Sequence, residues 1–326
     1  MKRLSIIIVL LAVIVMVTSC GASGNKDLIA VKLILDWVPN TNHTGIFVAE
    51  EEGYFTEAGL AVEIIQPGEV YPEAAVASGV ADFGISFQEY VTLSRARDVP
   101  IVSIAALLQH NTSGFASAAN LNVTGPADFD GLVYGSFGSP FEVPTLDVLM
   151  NCDGGDIDQL KIVQTGFADP LALIAENQID VAWIFFGWQG FQAQQQGLNL
   201  NVVMMEDYFG CIPDYYTPVL IASEDTISNR PDVAKAFMEA ISRGYEFAIE
   251  NPNEAAGLLL AAVPELDAEL VKASQNWLSN YYQADAQRWG EQKASVWQNY
   301  ADWMLEHGII SDPISATEAF TNEFLP

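Results

Sequence analysis

Several side chains with binding chemistry cluster near the start of the chain. Asp36 and Trp37 follow the apolar run Leu33–Leu35, which is predicted to be a strand, and Asn40 and His43 come shortly after. The indole of Trp37 suits stacking on an aromatic ring, worth about 0.5–1.5 kcal/mol beyond area burial, although a tryptophan that packs its own loop has the same pattern. Asn40 is either a ligand contact or a helix cap. His43 is either a contact or a satisfied polar residue, and the three histidines lack metal-ligand spacing.

A second polar group follows the apolar run Phe83–Phe87. It consists of Gln88, Glu89 and Tyr90. Amide and carboxyl groups at the end of a strand can pair with the donor and acceptor edges of a pyrimidine or flavin ring. A solvated helix start has the same residue types, so the sequence leaves both interpretations open.

The loop Ser136–Ser139 contains glycine and precedes a predicted helix. Such loops present backbone N–H groups to an anion. However, the chain has no Lys or Arg between Arg97 and Lys161. A carbonyl, a hydroxyl chain or water is therefore favoured over a phosphate as the partner of these amides. Phe137 offers an aromatic wall, and Glu142 either receives an N–H or hydroxyl group or is a favourable charge at the start of the helix.

The elements that position these residues occur twice, 98 residues apart. At this offset, six residues within a short span meet identical residues: Gln66, Gly68, Pro72, Ala74, Ala77 and Asp82. The offset also places Leu33–Leu35 over Gly131–Val133 as strands. Strands that alternate with helices predict an α/β fold with parallel sheets. Because ligands bind at the carboxyl ends of such strands, we expect the loops Asp36–Asn40 and Tyr134–Ser139 to be opposite walls of one site.

These patterns predict two lobes. Residues 30–113 and 217–326 form lobe 1, and residues 114–216 form lobe 2. Trp188 lies just beyond a strand of lobe 2, and Tyr215 and Tyr216 lie in the predicted return crossing, where one of them could stack on a ligand opposite Trp37. Helical apolar spacing predicts four C-terminal helices that complete and cover lobe 1: Pro231–Glu250, Asn253–Ala262, Asp267–Tyr282 and Lys293–Glu306.

The N-terminus predicts export. Lys2 and Arg3, a short apolar run and small residues before Cys20 are typical of a signal peptide over residues 1–19. The cysteine position resembles a bacterial lipobox, which implies a lipid on Cys20, a tether over residues 20–29 and attachment to the outer face of the cell membrane. An ordinary signal peptide with a chance cysteine is the alternative.

Charge and cysteine content narrow the partners further. Without Lys2 and Arg3, the mature chain has 11 basic and 42 acidic residues, a net charge of −31. Such a surface repels nucleic acid and anionic lipid, so neither is an expected partner. Cys152 and Cys211 either pair in an oxidising compartment or remain two buried thiols, and sequence alone does not decide.

Five segments resemble a family of ABC-importer binding proteins for pyrimidine precursors of thiamine: Leu33–His43, Ala49–Leu60, Ala77–Gly84, Gly135–Glu142 and Arg230–Phe237. The resemblance covers nearly the whole mature chain. It implies a two-lobed periplasmic-binding-protein type II fold and two partners, an ABC permease and its ATPase. Within the family, Trp183–Trp188 and Ile212–Pro218 are most similar to a branch that binds riboflavin.

The family also includes an enzyme, the eukaryotic pyrimidine-precursor synthase, which consumes a pyridoxal phosphate held by a lysine. Ser86 stands at the position of that lysine and Tyr90 at that of a histidine, and the cysteine-rich iron motif is missing. A serine cannot form a Schiff base, so neither catalysis nor a cofactor is expected. The chain also lacks the Gly-x-Ser-x-Gly motif and a nucleophile paired with histidine, which disfavours an exported hydrolase.

The sequence favours riboflavin as the ligand. A three-ring ligand needs an extensive aromatic wall, and the chain offers Trp37, Phe137, Trp188, Tyr215 and Tyr216. The alternative is formylaminopyrimidine, the precursor of thiamine, or a related pyrimidine.

Overall fold

The computed structural model describes residues 28–68, 70–166 and 168–326. The predicted signal peptide and Cys20 lie outside these residues. Across the described ranges, no helix is long and apolar enough to cross a membrane.

Ten strands and thirteen α-helices make up the regular structure of the described residues. The strands are β1 (Ile29–Ile34), β2 (Leu60–Ile65), β3 (Phe83–Ser86), β4 (Ile101–Ala106), β5 (Ser113–Ala118), β6 (Val133–Ser136), β7 (Lys161–Gln164), β8 (Val181–Phe185), β9 (Leu200–Met204) and β10 (Val219–Ser223). The helices are α1 (Thr44–Glu51), α2 (Tyr54–Glu57), α3 (Pro72–Ala77), α4 (Gln88–Arg95), α5 (Glu142–Asp153), α6 (Pro170–Ala175), α7 (Phe191–Gln195), α8 (Glu224–Asn229), α9 (Pro231–Glu250), α10 (Pro252–Ala262), α11 (Ala268–Leu278), α12 (Ala294–Glu306) and α13 (Ala316–Ala319).

The strands form two five-stranded sheets, ordered β2-β1-β3-β10-β4 and β7-β6-β8-β5-β9. In each sheet the first three strands are parallel and share the same order, as the sequence repeat predicts. β10 runs antiparallel between β3 and β4, and β5 runs antiparallel to β8 and β9. Both sheets are therefore mixed. The predicted two-lobed α/β fold is confirmed.

The 98-residue offset misplaces one strand. It predicts a strand at Gly131–Val133, whereas β6 runs from Val133 to Ser136. The connection to the next strand explains the shift. Ile34 pairs with Ile65 and Ser136 pairs with Gln164, which gives spacings of 31 and 28 residues. Because the second copy is shorter here, the loop after β6 begins only at Phe137.

The C-terminal helices complete the first lobe and also reach the second. α9 begins at Pro231, where proline suits the first helical turn, and packs on the first sheet with α1 and α10. On α11, Trp277 packs edge to face on Phe186 of the second lobe, with ring centroids 5.3 Å apart. On α12, Trp297 is buried against the first sheet, whereas Trp303 joins the core of the second. The tail therefore connects the lobes as well as covering one of them.

Cys152 at the end of α5 and Cys211 form a disulfide. Of the two possibilities that the sequence left open, the structure has the paired cysteines and not two separate thiols. A disulfide of this kind persists in an oxidising environment.

Candidate functional site

A cavity of about 210 Å³ lies between the two lobes, at the carboxyl ends of strands from both sheets. Its described lining is rich in aromatic rings, which belong to Trp37, Tyr71, Phe87, Tyr90, Phe137, Phe141, Trp183, Phe185 and Trp188. Three carboxyl groups, from Asp36, Glu73 and Glu89, also line it. Among the described lining residues there is no Lys or Arg. Such a cavity favours an aromatic ligand that donates hydrogen bonds and carries no negative charge.

The lobes touch each other across this cavity. The ring of Phe87 on lobe 1 stacks on that of Phe185 on lobe 2, with centroids 5.7 Å apart and planes inclined by 15°. The hydroxyl of Tyr90 is hydrogen bonded to that of Ser139. The Tyr90 ring also meets Phe141 edge to face at 5.3 Å. These contacts bring the aromatic walls of both lobes close enough to enclose a small planar ligand.

Asp36 is oriented by a buried histidine. His43 Nε2 lies 2.6 Å from Asp36 Oδ1, and His43 Nδ1 accepts the backbone N–H of Asn40 at 3.3 Å. Because Nδ1 is an acceptor, Nε2 carries the proton and donates a hydrogen bond to the carboxylate. The Asn40 side chain caps the short helical turn that contains His43 by accepting the N–H of Asn42 at 2.9 Å. His43 thus supports the cavity from behind, whereas Asp36 and Asn40 line it.

Two tyrosines of the C-terminal tail hold the same turn. Tyr245 on α9 donates its hydroxyl to the carbonyl of Asn42 at 2.6 Å. Tyr282, just after α11, donates to the carbonyl of Thr41 at 2.5 Å. Both tyrosines are fully buried. The tail therefore fixes the backbone that presents Asn40 to the cavity.

Glu73 lies in the first turn of α3 and accepts a hydrogen bond from the hydroxyl of Ser86 at the end of β3. Burial raises the pKa of Glu73, the Ser86 hydrogen bond partly opposes this, and the nearby Asp36 charge adds to it. Ser86, the serine at the position of the synthase's lysine, therefore has its hydroxyl hydrogen bonded to the carboxyl group of Glu73.

Glu89 is the most deeply buried of the three carboxyl groups. It is 4% exposed, and burial raises its pKa to about 8, so it is protonated at neutral pH. Its Oε2 atom has no hydrogen-bond partner among the described residues, although the Tyr215 hydroxyl is near. Trp183 also lines the cavity, and its Nε1–H has no described partner either. Both atoms are buried, and the Tyr215 hydroxyl beside Glu89 lies outside the cavity lining, so a ligand in the cavity can meet the Glu89 carboxyl only at its other oxygen, Oε1.

Glu142 is fully buried and fills the loop after β6. Its carboxylate accepts the backbone N–H groups of Phe137 at 3.1 Å, Gly138 at 2.7 Å and Ser139 at 2.7 Å. The Ser136 hydroxyl donates to it at 3.0 Å. The carboxylate therefore takes up the N–H groups that the sequence assigned to a carbonyl, a hydroxyl chain or water.

The Tyr134 hydroxyl is a fifth donor to this carboxylate, at 2.7 Å from Oε1. Burial raises the pKa of Tyr134 well above its usual range, and the adjacent Glu142 charge adds to this. Since a carboxylate has about four lone-pair sites, five donors saturate it.

The structure brings seven of the predicted site residues to the cavity: Asp36, Trp37, Asn40, Glu89, Tyr90, Phe137 and Trp188. The other six lie outside its lining: His43, Gln88, Ser136, Glu142, Tyr215 and Tyr216. Gln88 instead accepts the Tyr216 N–H at 2.8 Å, and the Tyr215 ring stacks on Tyr300 at 4.2 Å. Which of these residues contact a ligand remains a prediction.

Sequence reasoning missed several lining residues. Trp183 and Phe185 alternate along β8 and so share one face, a signal that was available in the sequence. Phe186 begins a π-helical turn and packs away from the cavity on Trp277. Glu73 carries no comparable signal, because its position depends on how α3 meets the end of β3.

Solved structures of low sequence identity share this architecture. The alkanesulfonate-binding protein of Xanthomonas axonopodis pv. citri, bound to MOPS, matches with a TM-score of 0.68 and 12% identity, over 90% of this chain and 98% of that one. The chain therefore has the fold of periplasmic binding proteins.

Sequence similarity defines the family. Residues 40–255 match the family described as NMT1/THI5 like, and the chain belongs to that family. The formylaminopyrimidine-binding protein of Halalkalibacterium halodurans is 31% identical, over 99% of both chains. The riboflavin-binding protein RibY of Chloroflexus aurantiacus is 24% identical, over 100% of this chain and 99% of its own. The family predicted from the five motifs is confirmed.

Proposed function

We propose that this chain is the extracytoplasmic substrate-binding protein of an ABC importer and that its ligand is a small aminopyrimidine such as formylaminopyrimidine. One observation carries the proposal. The aromatic cavity between the lobes contains three carboxyl groups and, among its described residues, no basic side chain. A donor-bearing aromatic ring without negative charge satisfies both properties.

The donor pattern favours an aminopyrimidine over a flavin. An aminopyrimidine presents an amino group beside a ring nitrogen. A protonated carboxyl such as Glu89 can pair with this edge through Oε1, because its O–H donates to the ring nitrogen, and the carboxyl groups of Asp36 and Glu73 remain as acceptors for the amino group. The corresponding edge of a flavin presents two carbonyls around a single N–H and offers fewer donors to three carboxyl groups.

Cavity size points the same way. The volume of about 210 Å³ is smaller than the roughly 300 Å³ at which pockets for drug-sized ligands begin. A single ring with short substituents fits this volume better than three fused rings with a ribityl chain. The relative with the higher identity of the two is named for formylaminopyrimidine binding.

Riboflavin, which the sequence favoured, becomes the second candidate. Tyr215 and Tyr216 supported it, and both lie outside the cavity lining. What still favours it is the remaining aromatic wall, including Trp37 and Trp188, together with the relative named as riboflavin binding.

The N-terminal expectations belong to the same proposal. Export by residues 1–19 and a lipid on Cys20 would hold the binding protein on the outer face of the membrane, within reach of a permease and its ATPase. The Cys152–Cys211 disulfide supports an oxidising location.

Titration of the purified protein with formylaminopyrimidine and riboflavin tests the ligand. We expect the pyrimidine to bind more tightly, with an affinity that is steady up to neutral pH and falls above pH about 8, where Glu89 loses the proton that pairs with the ring nitrogen. Glu89→Gln keeps one donor and one acceptor but does not titrate. It should bind within about tenfold of wild type and lose the alkaline decline.

Glu89→Ala serves as the comparison, since it leaves the ring nitrogen without its donor and should weaken binding by about 1–3 kcal/mol. Circular dichroism establishes that each variant is folded. Tighter binding of riboflavin than of the pyrimidine, with no response to either substitution, would show that the ligand assignment is wrong. Failure to bind either heterocycle would overturn the proposed class of ligand.

A further inference from the structure

The turn after β8 places a buried amide side chain at the cavity. This turn, Phe186–Gly190, is π-helical, and such turns are rare and occur frequently at functional sites. Gln189 lies within it, lines the cavity and is only 7% exposed. The hydroxyl of Ser274 on α11 donates a hydrogen bond to the carbonyl of Gly187. The C-terminal tail therefore holds the backbone that carries Gln189.

The orientation of the Gln189 amide is fixed by the backbone. Its Oε1 atom accepts the N–H of Phe185 at 2.8 Å, a bond that only the oxygen of the amide can accept. The Nε2 group must then point elsewhere, and it has no acceptor among the described residues. Unlike Nε1 of Trp183, which is buried without a partner, Nε2 of Gln189 keeps accessible surface. Because Gln189 lines the cavity, this donor is available to a ligand there.

The two lobes present complementary hydrogen-bonding groups to the cavity. Lobe 1 contributes the carboxyl groups of Asp36, Glu73 and Glu89, whereas Gln189 on lobe 2 contributes a donor in a fixed position. A ligand that pairs with both walls needs donors on one side and an acceptor on the other. Formylaminopyrimidine has an amino group on its ring and a formyl carbonyl on a substituent. The free amine that remains without the formyl group is protonated at neutral pH and has only donors at that position.

We propose that Gln189 is a specificity-determining residue, whose Nε2 group donates a hydrogen bond to the acyl carbonyl of the ligand and so distinguishes an acylated aminopyrimidine from the corresponding free amine. The inference rests on the proposed function, which assigns an aminopyrimidine to the cavity. An ammonium group in place of the carbonyl directs its own donors at the Gln189 donor. The amide then stays unpaired in a closed cavity, which is unfavourable.

Gln189→Met tests this role, since it keeps the length of the side chain and removes the donor. Affinity for formylaminopyrimidine should fall about 2- to 13-fold, the range of a neutral hydrogen bond. Affinity for the free amine should change less than twofold, because the amine makes no hydrogen bond to Gln189. Calorimetric titration with both ligands measures the two changes, and circular dichroism establishes that the variant is folded.

Gln194→Met is the matched control. Gln194 is exposed on α7 of the same lobe and lies outside the cavity lining, so its substitution should change neither affinity. Equal losses for the two ligands in Gln189→Met would mean that the substitution only disturbs packing. That outcome, or no loss in a folded variant, would overturn the role of Gln189 and leave the proposed function intact.

Wild type provides a second measurement if Gln189→Met does not fold. The side-chain amide protons of Gln189, followed by nuclear magnetic resonance in isotope-labelled protein, should shift downfield at saturation with formylaminopyrimidine. They should not do so with the free amine. The absence of a downfield shift with a bound formylated ligand would contradict the hydrogen bond. If wild type binds neither pyrimidine, the proposed function fails and this inference fails with it.

Discussion

At the scale of single residues, the cavity combines a partly exposed indole with buried carboxyl groups. Trp37 lines the cavity and is 41% exposed, whereas Glu89 is 4% exposed. An aromatic ligand that covers the indole would bury apolar surface that the unliganded protein leaves in water. Stacking would therefore supply affinity, while the hydrogen bond to Glu89 would select the ligand.

Trp37→Ala should weaken aminopyrimidine binding by about 1–3 kcal/mol, through lost stacking and lost burial. The thermal midpoint should change little, because the indole is already partly exposed in the unliganded protein. Titration and thermal unfolding measure the two effects. Val38→Ala is the matched control, since Val38 is 44% exposed and lies outside the cavity lining. Equal affinity of Trp37→Ala and wild type would mean that the indole is not a platform.

At the scale of elements, the C-terminal tail positions the first-lobe wall through a close helix crossing. α1 and α9 meet at Gly45 and Gly244, where an added methyl group at Gly244 would overlap the backbone of Gly45. The next residue, Tyr245, packs over Gly45 and holds the carbonyl of Asn42. The crossing therefore fixes the turn that carries Asn40.

Gly244→Ala should destabilise the protein by about 1–3 kcal/mol, because the two helices must separate to admit the methyl group. It should also weaken ligand binding, since the turn at Asn40 depends on the same crossing. Gly257→Ala, in the middle of α10 with open space around it, should instead be neutral or stabilising by up to about 1 kcal/mol. Denaturant unfolding compares the two variants. Equal stabilities would show that the crossing tolerates a side chain.

How much the sequence predicts differs between elements for physical reasons. α9 was predicted with its observed bounds, because Pro231 marks its start and its apolar spacing is regular. The antiparallel strands β5 and β10 were not anticipated as such, since a repeat shows similarity between segments but not how they pair. Tyr215 stacks on Tyr300, a contact between residues distant in the sequence, and no local pattern indicates it.

At the scale of the whole molecule, the two lobes are joined by two crossings and by the tail. His110 lies in the crossing between β4 and β5, and its Nδ1 atom is 2.6 Å from Asp214 in the crossing between β9 and β10. Its Nε2 atom is 3.2 Å from Asp285 of the C-terminal tail. The hydrogen bond to Asp214 is the largest cause that raises the pKa of His110. On the cavity side, the Tyr90–Ser139 hydrogen bond joins the lobes directly. The crossings are therefore held by hydrogen bonds, whereas across the cavity the lobes meet through the Tyr90–Ser139 hydrogen bond and the ring contacts of Phe87 with Phe185 and of Tyr90 with Phe141.

Tyr90→Phe should shift the unliganded protein toward an open form, because it removes this hydrogen bond and keeps the ring. A bond of this kind contributes about 0.5–1.5 kcal/mol, so the ratio of closed to open molecules should fall about 2- to 13-fold. Small-angle scattering should show a larger radius of gyration without ligand and a return to the compact form at saturation.

Ser139→Ala removes the same bond from the other lobe and separates closure from direct ligand contact. If the bond acts as a latch, the two substitutions should have similar effects, and the double variant should add little to either one. Tyr208→Phe, on lobe 2 and outside the cavity lining, controls for the loss of a hydroxyl elsewhere. Additive effects on affinity, with no change in the radius of gyration, would mean that Tyr90 acts on the ligand and that the lobes do not depend on this contact to close.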